Sequence, residues 1–189
     1  MSFATAYAGL LLLAVALAIG PLNVLRRRPN PVSTDLRRDI GIWAAVCGIV
    51  HTVAGLQVHM HGTFARYFLP APGAHVDRGA AVFFTANYLG MAGAVLLVLL
   101  MALSNDIALR KLGVPLWKLL QRSTYILLAA VVLHGALYQI LEKRAALLVS
   151  ILAATTVLVL VMQLRGVREW RQASLRDAAH RARESAGRK

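Results

Sequence analysis

Two histidines, His51 and His134, have the clearest chemical potential in this chain, because each lies inside a long apolar stretch. An imidazole ring can ligate a metal ion, carry a proton or donate a hydrogen bond. A polar side chain is costly to place in a membrane-length apolar segment, so each ring is a candidate functional group. The alternative is a structural role, in which each ring only bonds a carbonyl of a neighbouring helix.

Long apolar blocks must position both rings. With 58% hydrophobic residues and a mean hydropathy of +0.62, the 189-residue chain is too apolar for a soluble domain. Apolar blocks of about 18 residues or more predict membrane-spanning helices, because a helix satisfies its own backbone hydrogen bonds in lipid. We therefore predict an all-α fold, a polytopic membrane helical bundle with about five transmembrane helices. The five blocks are Phe3–Ile19, Ile40–Val58, Gly79–Leu103, Trp117–Leu141 and Ala145–Leu164.

The basic residues predict how this bundle is oriented. They fill the first loop, the third loop and the C-terminal segment, whereas the second and fourth loops hold two each. By the positive-inside rule, the N-terminus lies outside and the C-terminus lies in the cytoplasm. The same rule explains the net charge of +13, so no nucleic-acid partner is expected. We expect an integral protein of a bacterial-type inner (plasma) membrane.

One domain is expected, followed by a short tail. Residues 1–166 form the transmembrane bundle, and no Lys or Arg precedes the first block, so we expect a permanent helix rather than a cleaved signal peptide. Residues 167–189 form a basic amphipathic cytoplasmic tail. This tail either lies on anionic lipid or is a helix that binds a partner.

Helix geometry places the two rings at the same depth. At 1.5 Å per residue, His51 lies about 24 Å from a helix start at Asp35, and His134 lies about 26 Å from Trp117. Both helices start on the predicted cytoplasmic side, so both rings lie in the outer half of the bilayer. Two imidazoles that face each other across a bundle core are the usual axial pair of a b-type haem.

Glycines flank the first of these rings. Gly48 and Gly55 lie three residues before His51 and four residues after it, and therefore share a helix face with it. They would give clearance to a flat porphyrin. Alternatively Gly41, Gly48 and Gly55 form a small-residue seam for close helix packing.

Two segments resemble the ferric-reductase-like transmembrane domain family, and most closely its haem-binding membrane subunits of the periplasmic methionine sulfoxide reductase system. The segments are LRRDIGIWAAVCGIVH, ending at His51, and LGVPLWKLLQRSTYILLAAVVLH, ending at His134. They are similar to the family in the order of a basic pair, a glycine and a histidine, then Leu-Gly, Trp, Arg-x-x-Tyr and a second histidine. The resemblance covers residues 36–140 and implies a haem-binding electron-transfer bundle.

The chain departs from the family pattern at Gln121, which stands where the family has an inner histidine, 13 residues before His134. Glutamine is a poor iron ligand, so the resemblance implies one haem b, and a second, inner haem is not expected. The inner level could instead bind a quinone headgroup or haem propionates, or form a snorkelling interfacial cluster. Its side chains are Arg37, Arg38, Trp117, Gln121, Arg122 and Tyr125.

Three further histidines, His59, His61 and His75, lie in the second loop on the predicted outer side. Together with Met60 they could bind iron or copper, since imidazole and thioether ligands suit copper. The alternative is that they are solvated loop residues.

These observations predict a membrane b-type cytochrome subunit, the electron-transfer component of an oxidoreductase. It would pass single electrons from a cytoplasmic or quinol donor to an acceptor on the outer face. Only 25 residues follow Leu164, so flavin and nicotinamide domains are expected on a separate protein. The resemblance implies a flavin reductase or quinol as donor and an outer-face protein or metal as acceptor. The alternatives are a non-redox membrane anchor or assembly subunit, and an outer-face metal-binding protein that uses the three loop histidines.

Overall fold

The computed structural model describes residues 2–28, 35–58 and 63–186, and within these ranges the chain is helical and contains no β-strand. Five helical stretches are long and apolar enough to cross a membrane, with α4 and α5 together forming the fourth. The predicted all-α membrane bundle is therefore confirmed. Its helices are α1 (Ser2–Leu25), α2 (Asp35–Val58), α3 (Arg78–Leu103), α4 (Asp106–Gln121), α5 (Thr124–Glu142) and α6 (Ala146–Ala186), with a short 3-10 helix at Phe64–Tyr67.

The helices pack in two groups that share α2. Helix α1 packs against α2 and α6, and α3 packs against α5 and α2. A small apolar core joins the groups, while many large apolar side chains are exposed on the outside of the bundle, which suits contact with lipid. The core residues are Leu13, Ala14, Leu17, Ala44, Leu100, Leu127, Leu128 and Val159. We call the end with the α2–α3 and α5–α6 connections the predicted outer end, and the opposite end the predicted inner end.

Helix α1 continues six residues beyond its predicted end at Ile19, through Pro21 to Leu25. Proline has no N–H, so the carbonyl four residues earlier, at Leu17, has no helical donor. The side-chain amide of Gln163 on α6 supplies one, because its Nε2 donates to the Leu17 oxygen at 2.8 Å. Gly166 makes room for this approach, since a Cβ there would lie 2.8 Å from the Pro21 Cβ.

The fourth span is segmented where a single helix over Trp117–Leu141 is predicted. Asn105 caps α4 by accepting from Ala108 N at 2.8 Å, and the helix then breaks at Gly113, whose φ of 71° favours glycine. A tight turn separates α4 from α5, with Ser123 N donating to the Leu120 oxygen at 3.0 Å. The segment that carries His134 is therefore α5, which begins at Thr124.

Helix α6 runs without a break for 41 residues, from the last span into the basic segment. At 1.5 Å per residue its length is about 60 Å, and about 20 residues suffice to cross the hydrocarbon layer. The described part of the predicted tail, residues 167–186, therefore continues the axis of the last span.

Candidate functional site

Helices α2 and α5 place the two histidines of the spans side by side. The His51 and His134 ring centroids are 6.3 Å apart, and the ring planes meet at 74°. One metal ion between two imidazoles sets a centroid spacing of about 6 Å, because each metal–nitrogen bond is about 2 Å and each nitrogen lies about 1 Å from its ring centre. The structure therefore brings the predicted pair to a spacing that suits one shared ion.

A backbone carbonyl fixes the tautomer of the second ring. His134 Nδ1 lies 2.7 Å from the oxygen of Ala86 on α3. A carbonyl oxygen can only accept, so Nδ1 carries the proton and donates, and Nε2 keeps its lone pair. Metal-binding histidines commonly hold their second nitrogen in this way, which fixes the ring orientation and raises its basicity.

A glycine that sequence reasoning missed gives this ring its room. A Cβ at Gly90 on α3 would lie 2.7 Å from both Cε1 and Nδ1 of His134. Gly90 therefore lets the imidazole lie against the α3 backbone, where Ala86 accepts its hydrogen bond. The available signal was the Ala86-Asn-Tyr-Leu-Gly90 spacing in the third span, because small residues four apart mark a close approach between helices.

The two glycines predicted to give clearance beside His51 have other neighbours. A Cβ at Gly48 would lie 2.7 Å from Leu97 Cδ1, and a Cβ at Gly9 would lie 3.5 Å from Gly48 N, so Gly48 lies at a close packing point of α1, α2 and α3. Gly55 accepts a hydrogen bond on its carbonyl from the Tyr67 hydroxyl at 3.1 Å. Both glycines also line the central cavity. Their role beside a porphyrin stays a prediction.

The histidine pair lies in a cavity of about 810 Å³ that also reaches the predicted inner end. This volume is within the range of small-molecule and cofactor sites, about 300–1,000 Å³. Helix α1 supplies one wall with small and apolar side chains between Phe3 and Leu17. Among the described residues that line the cavity, His51 and His134 are the only histidines.

The predicted inner set lines the same cavity, but several of its polar groups already have partners. Arg38 pairs with Asp35 at 2.9 Å and with Asp106 at 2.7 Å. The indole N–H of Trp117 donates to the Leu103 oxygen at 2.9 Å. These contacts fasten α2 and α4 to their neighbours. The whole predicted set lines the cavity, namely Arg37, Arg38, Trp117, Gln121, Arg122 and Tyr125.

Tyr125 of this set takes part in a link between helices. Its hydroxyl donates to Gln163 Oε1 at 3.1 Å, and the same glutamine bonds α1 at Leu17. One side chain of α6 therefore joins α5 to α1 beside the cavity.

Most of the predicted outer metal site lies outside the described residues, because His59 and His61 belong to residues 59–62. His75 is exposed in the loop before α3. Within the described ranges, no group of three or more His, Cys, Asp or Glu side chains is arranged to hold a metal ion.

A chain of hydrogen bonds connects three helices at the predicted outer end, beyond the histidines. The Tyr138 hydroxyl donates to Asn87 Oδ1 at 2.7 Å, and Asn87 Nδ2 donates to the Tyr67 oxygen at 3.1 Å. The Tyr67 hydroxyl shares its single hydrogen between two carbonyl oxygens of α2, that of Leu56 at 2.9 Å and that of Gly55 at 3.1 Å. Tyr67 is only 3% exposed, so the 3-10 helix inserts a ring that joins α2, α3 and α5 over the cavity.

A comparison with known protein families identifies the family of the chain. The sequence profile of the family described as ferric reductase like transmembrane component matches residues 4–132, which is most of the chain. The chain belongs to this family. The matched part of this ferric-reductase-like protein includes His51, Gly90 and Gln121 and ends two residues before His134. No curated protein and no solved structure matches the chain significantly.

Proposed function

We propose that this ferric-reductase-like protein is a membrane electron-transfer subunit that holds one b-type haem between His51 and His134. The spacing of 6.3 Å between the two ring centroids is the observation that carries the proposal. The fixed tautomer of His134 leaves Nε2 as the nitrogen to bind iron. A bound haem would supply a one-electron couple, with a potential set by bis-imidazole ligation and low dielectric.

The residues of this chain prepare the site for such a ligand. Ala86 holds the His134 ring through its carbonyl, and Gly90 allows the approach. Tyr67, Asn87 and Tyr138 line the cavity at its predicted outer end and are linked to one another by hydrogen bonds. Held in one orientation, an axial ligand needs little rearrangement when the iron changes oxidation state, which favours rapid electron transfer.

We propose a single haem because the inner level of the cavity lacks imidazoles in the described part of the chain. Gln121 lies there on α4, and the facing end of α2 offers Arg37 and Arg38. None of these three side chains is a usual haem ligand.

The donor and the acceptor are proposed from the two ends of the cavity. A quinol headgroup or a cytoplasmic flavin reductase would deliver electrons at the predicted inner end, where the cavity is lined by cations such as Lys118 and Arg122. The histidine pair lies nearer the predicted outer end, seven residues before the end of α2 at Val58. An outer-face protein or metal would therefore take the electrons there.

Reduced-minus-oxidised spectroscopy of the purified protein tests this proposal. Protein from haem-replete cells is expected to show the sharp α-band of a low-spin b haem, with one haem per chain by pyridine haemochrome. His51→Ala and His134→Ala are each expected to abolish the band, because each removes one axial ligand.

His180→Ala is the matched control, because His180 lies exposed on the described part of the tail, away from the histidine pair. It is expected to keep the α-band. A colourless wild-type protein, or a band that survives both span substitutions, would refute the proposal.

A further inference from the structure

Two buried polar atoms in the cavity wall have no hydrogen-bond partner. They are Gln139 Oε1 and Arg144 Nε, the only such buried side-chain atoms among the residues that the structure describes. Both side chains line the cavity that holds His134. A buried polar group without a partner loses its hydration without compensation, so a ligand is the expected source of the missing bonds.

The hydrogen bonds of Tyr7 fix the orientation of the Gln139 amide. The single hydroxyl hydrogen of Tyr7 is donated to the Leu148 oxygen at 3.0 Å. The hydroxyl oxygen must therefore accept from Gln139 Nε2, which lies 2.7 Å away. The amide cannot be reversed without losing that bond. Gln139 Oε1 is left as an acceptor that needs a donor.

The Arg144 guanidinium is held on two sides. Its Nη2 donates to Glu142 Oε2 at 2.9 Å, and its Cζ lies 3.8 Å from the centroid of the Phe3 ring. The side chain is only 13% exposed. Its Nε–H is left as a donor that needs an acceptor, and Glu142 already balances much of its charge.

We infer that Gln139 and Arg144 bind a carboxyl group at the predicted outer end of the cavity, namely a propionic acid group of the haem. This inference rests on the proposed function. A protonated carboxyl group matches both atoms, since its hydroxyl donates to Gln139 Oε1 while its carbonyl oxygen accepts from Arg144 Nε–H. The balance of charge between Arg144 and Glu142 favours such a neutral partner over a second anion.

The position along α5 suits this ligand. Gln139 lies five residues after His134, a rise of about 7.5 Å along the helix. That rise is on the scale of the reach of a haem from its iron to its carboxyl edge. The two residues would therefore select one orientation of the macrocycle, with its carboxyl edge toward the predicted outer end.

Titration of the apoprotein in lipid nanodiscs tests the inference, with ferric protohaem and its dimethyl ester as the two probes. The ester keeps the macrocycle and the iron but has no carboxyl hydroxyl to donate. Wild type is expected to bind protohaem about tenfold more tightly than the ester, the effect of one buried hydrogen bond. Gln139→Leu is expected to bring this ratio close to one and to keep the low-spin spectrum. Arg144→Met is expected to weaken the binding of both probes by a similar factor, because the ester carbonyl oxygen can also accept from Arg144 Nε–H.

Lys143→Met is the control, because Lys143 is the exposed neighbouring cation and does not line the cavity. It is expected to keep the wild-type ratio. Equal affinity of the wild type for acid and ester, with a normal low-spin spectrum, would mean that only water binds Gln139 and Arg144. That result would overturn the inference and leave the proposed function intact. If neither probe gives a low-spin spectrum, the proposed function itself fails. The wild-type comparison decides the question even if a variant does not fold.

Discussion

Substitution of Gly90 by alanine separates the support of His134 from the presence of its imidazole. The added methyl carbon would lie 2.7 Å from two ring atoms, whereas ordinary contact begins at 3.4 Å. The ring must therefore move by about 0.7 Å, and its 2.7 Å bond to the Ala86 oxygen would stretch or break. The histidine itself is retained, so any effect on a ligand arises from its position.

The expected change in stability combines two costs and one gain. Crowding in a packed interior costs about 1–3 kcal/mol, and the lost hydrogen bond costs about 1 kcal/mol more. Alanine in a helix interior regains about 1 kcal/mol relative to glycine. The net destabilisation of Gly90→Ala is therefore about 1–3 kcal/mol. Loss of a partner behind a metal ligand typically weakens the metal site by about 10- to 100-fold.

Haem titration of the apoprotein, together with thermal unfolding, measures both effects. Gly93→Ala is the control on the same helix, because its added Cβ would meet Leu127, Ala130 and Val131 at 3.8–3.9 Å, which is ordinary contact. We expect Gly93→Ala to keep the wild-type haem affinity and Gly90→Ala to weaken it by about 10- to 100-fold. Wild-type affinity and an unchanged α-band in Gly90→Ala would refute the idea that Gly90 and Ala86 set the position of the ring.

Two further predictions concern glutamines. Gln163→Leu leaves the Leu17 carbonyl without a donor and is expected to lower stability by about 1–3 kcal/mol, whereas Gln172→Leu, on the exposed extension of α6, should leave the unfolding temperature unchanged. An equal effect of both substitutions would remove the assigned role of Gln163. Gln121→His is expected to leave the haem content at one per chain by pyridine haemochrome, because no imidazole on α2 faces it at that level in the described structure. A second haem in this variant would show that the inner level needs only one added ligand.

The sequence predicted the elements and the pair of histidines because both depend on regular geometry. Apolar block length predicts a span, and a constant rise per residue predicts which rings share a depth. The charge pattern predicts the orientation of the bundle, which stays a prediction. Block length, rise per residue and charge pattern can all be read from the local sequence, so these predictions required no knowledge of which helices are in contact.

The sequence could not predict contacts that depend on which helix faces meet. Asn87 lies in an apolar run, yet it bonds a tyrosine from α5 and the carbonyl of another from the 3-10 helix. Gly90 makes room for the imidazole of His134, which lies 44 positions later in the chain. Spacing alone favoured the glycines beside His51 instead. The apolar block Phe3–Ile19 was shorter than the helix, because α1 continues through Pro21 to Leu25. Here α6 replaces the bond that Pro21 removes.

The bond from Gln163 to the Leu17 carbonyl also bears on the order in which the molecule is completed. The acceptor lies in the first span, and its donor lies in the last span to be synthesised. Until α6 enters the membrane, α1 carries a carbonyl that lipid cannot satisfy. The contact between α1 and α6 is therefore completed only at the end of synthesis, whereas the packing of α1 against α2 needs only the first two spans.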